Sequence, residues 1–393
     1  MLGVRHAWRR LHSSIGGGGG GGGVSSKRKM LEAALRVNPE VQATLESEPC
    51  RVVALETAVV SHGLPYPANL EAVLGMEDEI RIQGGIPATI CVMDGEIHVG
   101  CSLKRLERLG KSKEPRIKVS RRDFANAVSH KLNGGTTVAG TLMVAKALGI
   151  QQFATGGIGG VHRGGESSFD VSADLMELGR SPVAVISAGV KSILDVPRTL
   201  EYLVRLRIPF LYTVLDDETQ GVFVATLAYT EKGNPKFPNF FECEGEIESP
   251  AVLRGIQAAA DLVETHFQLG IDSGLLIAVP VPEDHENKAA AVVIAEAAEE
   301  AEKLNIRGRD VTPFILNMIR EKTDGSSVIT NVALLLNNAR IAGRIASLRA
   351  EHRLRETNRL RGGSSDVEHV HQQPVVVGAA ALDFLVKVKC DLV

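Results

Sequence analysis

The stretch Gly134–Lys191 constrains the fold most, because it joins two short apolar runs through a long glycine-rich loop. The runs, Gln152–Ala154 and Val183–Ile186, are typical of buried strands. A loop with so little side-chain bulk lets backbone N–H groups approach an anion closely. Lys191 follows the second run, and ligands of open α/β sheets sit outside the carboxyl ends of the strands. The stretch therefore predicts a ligand site at one edge of a sheet.

A plainer interpretation of the same stretch stays open at this point. Glycine-rich loops are common, and this one fits neither the G-x-G-x-x-G nor the Walker pattern. A single lysine after a strand is often a solvated surface residue. Spacing alone does not decide between a binding loop and an ordinary connection.

Apolar runs alternate with helical segments along most of the chain. Val52–Leu55 is typical of a buried strand, Asn69–Gln83 of an amphipathic helix capped by Asn69, and Pro250–Leu269 of another helix. Asp94-Gly95 is a strong hairpin turn between two further apolar runs. The alternation predicts an α/β fold, with a mostly parallel sheet covered by helices on both faces in three αβα layers.

Composition excludes several classes of protein. The chain has 393 residues and a formal net charge of −3, so no global basic field suggests nucleic acid as a partner. Its five cysteines are scattered and odd in number, which favours a reducing compartment over a disulfide framework or a zinc site. No apolar run reaches the length of a membrane-spanning helix.

The amino-terminal segment, residues 1–31, differs from the rest. It is basic, contains no acidic residue and carries the glycine tract Gly16–Gly23. An acid-free, arginine-containing and amphipathic start indicates a mitochondrial presequence followed by a linker. The alternative is a tail on a cytoplasmic protein.

Six sequence words carry a resemblance to a known family. They occur in order and at consistent spacing between about Val52 and about Ser347, and they are ALETAVVSHGLPYPANLE (54–71), KVSRRD (118–123), GGTTVAGT (134–141), FATGGIGGVHRG (153–164), DVSADL (170–175) and SAGVKSILD (187–195). In these words the chain resembles the pseudouridine-5′-phosphate glycosidase family, which includes the indigoidine-cluster A-type proteins. The resemblance covers most of the chain and is far more specific than any single motif.

The resemblance implies a hydrolase of the glycosidase type, acting on pseudouridine 5′-phosphate. Uracil and ribose 5-phosphate, the products of the reversible reaction, are joined in this substrate by a carbon–carbon bond. Such a bond offers no leaving oxygen to protonate, whereas an amine nucleophile can hold C1′ as a Schiff base. By the resemblance Lys191 is that nucleophile and Glu56 is the acid that transfers protons. Burial at the end of a strand is expected to raise the pKa of Glu56.

The resemblance also implies a divalent metal, Mn²⁺ or a similar cation, held by Asp170. One carboxylate completed by waters suits a hard, oxygen-preferring ion. The residues alone favour a different role, in which Asp170 caps the helix that follows it. The substrate-binding positions implied by the resemblance are Lys118, Val138, Thr155, Ser172, Ala173, Asp174 and Asn331.

The domain organisation follows from the extent of the resemblance. Residues 32–348 are expected to form the glycosidase domain, interrupted at 204–217 by a stretch that the family lacks, either a surface insertion or an error in the gene model. Residues 349–373 are charged and without periodicity, which indicates a linker. Residues 374–393 resemble the first strand of a PfkB-type sugar kinase, and we expect only the start of such a domain there.

Two other functions remain compatible with the residues. One is a sugar-phosphate-binding protein that has kept the fold without catalysis, and the other is a catalytically altered relative with a different substrate. The joint presence of Glu56, Asp170 and Lys191 favours the glycosidase. The resemblance further implies a homotrimer and small-molecule substrates, and the composition predicts neither nucleic acid nor membrane as partners.

Overall fold

The computed structural model describes residues 34–111, 115–165, 169–204, 221–228, 235–304 and 325–362, with seven further positions between 306 and 323. The amino-terminal segment 1–31, the kinase-like segment 374–393 and nearly all of the 204–217 stretch lie outside these residues. No helix in the described part of the chain is long and apolar enough to cross a membrane.

Strands and helices alternate as the sequence predicts. The strands are β1 Leu35–Val37, β2 Val52–Leu55, β3 Ile86–Met93, β4 Glu96–Val99, β5 Ile117–Val119, β6 Gly134–Thr136, β7 Gln152–Ala154, β8 Ala184–Ser187, β9 Phe223–Ala228, β10 Val252–Arg254 and β11 Leu275–Ala278. The helices are α1 Pro39–Ser47, α2 Ala68–Ile82, α3 Leu103–Lys111, α4 Phe124–Ser129, α5 Val138–Leu148, α6 Ala173–Leu178, α7 Val196–Val204, α8 Gly255–Gln268, α9 Lys288–Lys303 and α10 Ser326–Gly362.

The described strands form one sheet in the order β1-β4-β3-β2-β7-β8-β11-β9-β10, with β6 attached to β3 and β5 attached to β6. Only the β3–β4 and β3–β6 pairs are antiparallel. The β3–β4 pair is the predicted hairpin, and Asp94 and Gly95 take the positive φ angles of 52° and 76° that such a turn requires. The mostly parallel α/β sheet is thereby confirmed.

Both faces of the sheet are covered by helices. All four residues of β2 are buried, and they alternate between two hydrophobic cores. Val52 and Ala54 pack in the core that contains Leu142 of α5, whereas Val53 and Leu55 pack in the core that contains Met76 of α2. A strand buried on both faces is a continuous apolar run without alternation, as VVAL is.

Local signals were misread at two helix starts. The side chain of Asn69 does not cap α2, which begins at Ala68 after Pro67. Its amide instead donates to the carbonyls of Val60 (2.7 Å) and Gly110 (3.3 Å), so a tertiary contact takes the group that a cap would use. The predicted helix Pro250–Leu269 starts only at Gly255, because the residues before it form β10 beside β9.

The last helix is longer than the sequence predicts. Residues 349–362, expected to be linker, continue α10 to Gly362. This segment contains no proline and is rich in arginine, glutamate and leucine, which are good helix formers. A charged sequence without an apolar stripe was therefore misread as irregular. The first compact unit of the chain ends at Glu351, and a second begins at His352.

The described residues on either side of the expected 204–217 insertion lie close together. The backbone N–H of Val222 donates to the carbonyl of Leu203 at 2.9 Å, across residues 204–221. On one side α7 ends at Val204, and on the other β9 pairs with both β10 and β11. A segment whose two ends already touch makes little demand on the surrounding packing.

We therefore expect deletion of residues 204–217 to leave the domain folded. The change in melting temperature should stay within about 3 °C, because no described core contact is lost beyond the last residue of α7. Differential scanning calorimetry of the deleted and full chains measures this directly. A much lower melting temperature would show that the stretch is part of the core.

Candidate active site

Glu56 and Thr155 follow adjacent strands, β2 and β7, at their carboxyl ends. The Thr155 hydroxyl donates to the Glu56 carboxylate. Glu56 is half-buried as a residue, and burial of its carboxyl group raises the pKa of that group above the ordinary value. Lys191, the Thr155 hydroxyl and Lys118 act in the opposite direction on that pKa, and burial outweighs them. This raised pKa of Glu56 is the direction that the sequence predicts.

Lys191 follows β8, the next strand along. Its backbone N–H donates to the carbonyl of Ile158 at 3.1 Å, and Val190 forms a parallel bridge with Ile158. Gly189 supports the bend with a φ of 84°, which favours glycine. These contacts fix the backbone of Lys191 beside the glycine-rich loop, and its charge acts on the Glu56 carboxyl group.

Lys118 reaches the same place from a side branch of the sheet. It is the central residue of β5, which pairs with β6. Burial lowers the pKa of the Lys118 amine, the charge of Lys191 lowers it further, and Glu56 and Asp174 oppose the shift. Two lysines and two carboxylates therefore share one electrostatic environment.

Asp174 is buried and holds the glycine-rich loop against α5. Its Oδ1 accepts from the N–H of Ala139 at 2.8 Å, and its Oδ2 accepts from the N–H of Gly159 at 2.9 Å. A Cβ on Gly159 would lie 2.7 Å from that Oδ2, so a glycine is needed for the approach. The sequence predicts that this loop approaches an anion, and one such anion is the chain's own Asp174.

The other predicted binding positions lie around this contact. Ser172 is the N-cap of α6, with its Oγ accepting from the N–H of Asp174 at 3.3 Å, and Ala173 is the first residue of that helix. Val138 is the first residue of α5, next to the N–H that binds Asp174. The amino termini of α5 and α6 thus meet at the site, and helix amino termini favour anionic groups.

Asp170 lies at the entrance of α6 but does not cap it. Ser172 takes the capping position, which rules out the alternative role considered for Asp170. The Asp170 carbonyl accepts from the His162 N–H at 3.0 Å, and its Oδ2 lies 3.8 Å from His162 Nδ1. Within the described residues no group of three or more His, Cys, Asp or Glu side chains could enclose a metal. A single carboxylate such as that of Asp170 suits only a metal ion that keeps most of its water ligands.

Two asparagines of α10 approach the loop from the opposite side. Asn331 Oδ1 lies 3.7 Å from where a Cβ on Gly156 would be, which places it beside Thr155. Asn338 is buried, and its Nδ2 donates to the Thr155 carbonyl at 2.8 Å. Asn331 was predicted from the resemblance, but no role was assigned to Asn338. A buried asparagine on an apolar helix face is the signal that could have found it.

A separate cleft of about 730 Å³ lies beyond the ends of β9 and β11. Its lining includes Arg340 of α10 and Glu283, and it contains none of the predicted site residues. We place the chemistry at the other group of strand ends, because the acid and both lysines converge there.

A family model and several curated relatives match this chain. The family model is described as indigoidine synthase A like protein and matches residues 40–348. The chain is 44% identical over 319 residues to a pseudouridine-5′-phosphate glycosidase of Roseobacter denitrificans, with 81% of this chain and 96% of the relative covered. An Arabidopsis thaliana protein of the same name is 41% identical, with 80% and 90% covered.

A fungal relative is longer. The chain is 45% identical over 318 residues to a pseudouridine-metabolizing bifunctional protein of Schizosaccharomyces pombe. The match covers 79% of this chain but only 40% of that relative, so the chain corresponds to less than half of it.

Two solved structures share the fold. A structure of the prealnumycin C-glycosynthase AlnA in complex with ribulose 5-phosphate matches with a TM-score of 0.69 and 31% identity, covering 82% of this chain and 98% of AlnA. An indigoidine synthase A-like protein of Thermotoga maritima matches with a TM-score of 0.65 and 30% identity, covering 79% and 95%.

Proposed function

The chain belongs to the indigoidine synthase A-like family, and we propose that it cleaves pseudouridine 5′-phosphate to uracil and ribose 5-phosphate. The curated relatives of similar length carry this activity in their names. The observation that carries the proposal is the convergence of Glu56, Lys118 and Lys191 at one edge of the sheet. A carboxyl group with a raised pKa stands there beside two amines.

The first step opens the sugar ring. Glu56 is protonated more readily than an ordinary glutamate, so it can give its proton to the ring oxygen O4′ while the C1′–O4′ bond breaks. The Lys191 amine forms a bond to C1′ as this bond breaks, and the proton that its nitrogen loses goes to the Glu56 carboxylate. Thr155, which donates to Glu56, holds the carboxyl group in place. Ring opening leaves the amine nitrogen on the same carbon as the uracil C5.

The second step breaks the carbon–carbon bond. The nitrogen lone pair of Lys191 forms the C=N bond, the electron pair of the C1′–C5 bond goes to uracil, and C5 takes up the proton that Glu56 received from the Lys191 nitrogen. Water then adds to the Schiff base, and its hydrolysis frees Lys191 and ribose 5-phosphate. Because no oxygen leaves in the bond-breaking step, the second carboxylate of an ordinary glycosidase is not needed. The assignment as glycosidase rather than lyase rests on this hydrolytic end.

Lys118 and the amino termini of α5 and α6 supply the anion-binding side of the site. A lysine and the positive ends of helix dipoles suit the substrate's phosphate. Ser172, Ala173 and Val138 would contact it through their backbone, and Asn331 and Asn338 approach from α10. A divalent ion on Asp170, with water completing its shell, would neutralise negative charge on the substrate.

We expect Asp170→Ala to lose stimulation by manganese and to remain folded. Removal of the single protein carboxylate should weaken Mn²⁺ binding by at least the roughly 10- to 100-fold that loss of an outer-shell partner costs. The fold should persist because Ser172, not Asp170, caps α6. Mn²⁺ titration followed by electron paramagnetic resonance measures binding, and Asp170→Asn is the matched control for shape. Unchanged manganese binding and stimulation would rule Asp170 out as the ligand.

The proposed function is tested by incubating the purified chain with pseudouridine 5′-phosphate and Mn²⁺. Chromatography should detect uracil and ribose 5-phosphate in equal amounts. A non-catalytic sugar-phosphate-binding protein would bind ribose 5-phosphate and release no uracil.

A second candidate is synthesis of a carbon–carbon glycosidic bond. The similarity to AlnA, a C-glycosynthase, favours this candidate, because synthesis is the reverse of the cleavage reaction. Assays in which other ring acceptors replace uracil, with ribose 5-phosphate as the donor, distinguish the synthase from the glycosidase. Coupling to such acceptors but not to uracil would favour the synthase over the glycosidase.

Location, assembly and the carboxyl-terminal segment are further parts of the proposal. The acid-free residues 1–31 support mitochondrial import, and the family resemblance supports a homotrimer and a kinase-like start at 374–393. The bifunctional fungal relative is consistent with a fused second activity. Light scattering measures the oligomer, and a kinase assay of any longer form of the chain tests the last point.

We expect residues 1–31 fused to a fluorescent protein to direct it to mitochondria. Replacement of Arg5, Arg9 and Arg10 by glutamine should abolish this import, since the basic face is what the import machinery reads. Microscopy of both fusions decides the question. A wild-type fusion that stays in the cytosol would favour the cytoplasmic alternative.

A further inference from the structure

Lys118 stands on a weakly supported strand. β5 has three residues and lies off the main path of the sheet, and its only pairing in the described part of the chain is with β6. A short strand with one partner leaves its residues less firmly fixed than a strand inside a sheet. The position of Lys118 therefore depends on contacts outside the strand ladder.

One such contact is an ion pair formed three residues beyond Lys118. Arg121 Nη1 donates to Glu177 Oε1 at 2.7 Å. Glu177 lies three residues beyond Asp174 on α6, so the pair joins the segment that carries Lys118 to the helix that carries Asp174. Lys118 and Asp174 in turn interact across the site. The segment of β5 and helix α6 are thus connected twice, by Lys118 and Asp174 within the site and by Arg121 and Glu177 outside it.

The acidic partner, Glu177, lies in the protein interior. The Glu177 side chain is fully buried, whereas 46% of the Arg121 side chain is exposed. Arg180 donates to the other oxygen, Oε2, through Nε at 3.0 Å and Nη2 at 2.7 Å, and Ser181 Oγ donates to Oε1 at 3.1 Å. A buried carboxylate with this many donors has one arrangement, so it is a fixed anchor for Arg121.

We propose that Arg121 and Glu177 are a positioning pair that fixes β5 on α6, so that Lys118 faces the substrate-binding segment Ser172–Asp174. The inference rests on the proposed function for the identity of the substrate, but its structural part does not. Neither side chain contacts a reacting atom in this assignment. Arg121 acts through the backbone that connects it to Lys118.

The chain offers matched controls for this pair. Arg180 binds the other oxygen of the same carboxylate from a position two residues beyond the end of α6. Arg122 is the neighbour of Arg121, and its side chain is 85% exposed. Arg121→Ala leaves Glu177 with its bonds to Arg180 and Ser181, so the variant is expected to fold. Arg121→Lys keeps a donor and should restore part of the effect.

Steady-state kinetics with pseudouridine 5′-phosphate give the first measurement. Arg121→Ala should raise KM about tenfold or more and leave kcat within about threefold, because Lys118 is displaced while Lys191 and Glu56 keep their contacts. Arg180→Ala and Arg122→Ala should leave KM unchanged, even where Arg180→Ala lowers the melting temperature. An equal rise of KM in Arg180→Ala would show a general structural effect and overturn the inference.

Amide hydrogen exchange gives a second measurement that does not need activity. Exchange in residues 117–119 should become faster in Arg121→Ala and stay at the wild-type rate in Arg122→Ala and Arg180→Ala. Unchanged exchange in Arg121→Ala would refute the positioning role even if the enzyme cleaves its substrate. Faster exchange in a chain that releases no uracil would instead preserve the pair and reject the proposed function.

Discussion

Replacement of Lys191 by alanine is expected to lower uracil release by about 10³-fold or more. Loss of the residue that forms the covalent intermediate removes the whole route, and catalytic residues that act as a unit show losses of this size or larger. The backbone of Lys191 donates to Ile158, a contact that alanine keeps. The variant should therefore fold and still bind ribose 5-phosphate, as isothermal titration calorimetry would show.

Lys191→Arg is the control that separates charge from nucleophilicity. Arginine keeps the positive charge beside Glu56 but remains protonated, so it cannot form a Schiff base. Its uracil release should be as low as that of Lys191→Ala. Substantial turnover by the arginine variant would mean that position 191 contributes only charge, and the covalent route would have to be abandoned.

The second large effect is expected for Glu56→Gln. Glutamine keeps the shape and can keep the contact with Thr155, but it cannot give a proton to O4′. A general acid contributes about 10²- to 10⁴-fold, so kcat should fall by a factor in this range. The wild-type kcat should decline as pH rises through the raised pKa of Glu56, because the proton donor is then lost. This decline should be missing from the residual activity of the variant.

Glu56→Gln should also change stability in a pH-dependent way. Burial raises the pKa of Glu56, so the folded state prefers the protonated carboxyl group. The stability that Glu56 contributes is therefore fully present below its unfolded pKa and is lost as pH rises through its folded pKa. The melting temperature of the variant should equal that of the wild type near pH 4 and exceed it near pH 8. A variant less stable at both pH values would argue against a desolvated carboxyl group.

The sequence predicted the elements that carry the proposed catalytic residues. VVAL before Glu56 and the apolar run before Lys191 are continuous apolar strands, a pattern that indicates burial on both faces of a parallel sheet. Adjacent parallel strands place their carboxyl ends together, which brought Glu56, Thr155 and Lys191 into one site. This part of the site depends only on local pattern and a general rule of α/β sheets.

The contacts that complete the site depend on residues far apart in sequence. Asp174 binds backbone N–H groups at positions 139 and 159, and Asn338 binds a carbonyl 183 residues away. Neither partner has a sequence signature, because a backbone N–H or C=O looks the same in every residue. The role of Asn69 was misread for this reason, since its amide binds distant carbonyls where a local cap was expected.

Short strands were the other source of error. Gly134–Thr136 has the local composition of a turn, yet it forms β6 between β3 and β5. Glycine is unfavourable in isolated strands, but Gly135 lies where a Cβ would be 2.4 Å from the Thr57 carbonyl. Close approach of two backbones overrides the propensity there, and only the assembled fold reveals it. Lys118 owes its place in the site to this small branch of the sheet.

Borohydride trapping tests the covalent route most directly. The purified chain is mixed with ribose 5-phosphate, reduced, digested and mapped by mass spectrometry, with Lys191→Ala and an unreduced sample as controls. We predict one reduced sugar-phosphate adduct per chain, located on Lys191 and absent from Lys191→Ala. An adduct on Lys118, or no adduct in a chain that releases uracil, would contradict the proposed role of Lys191.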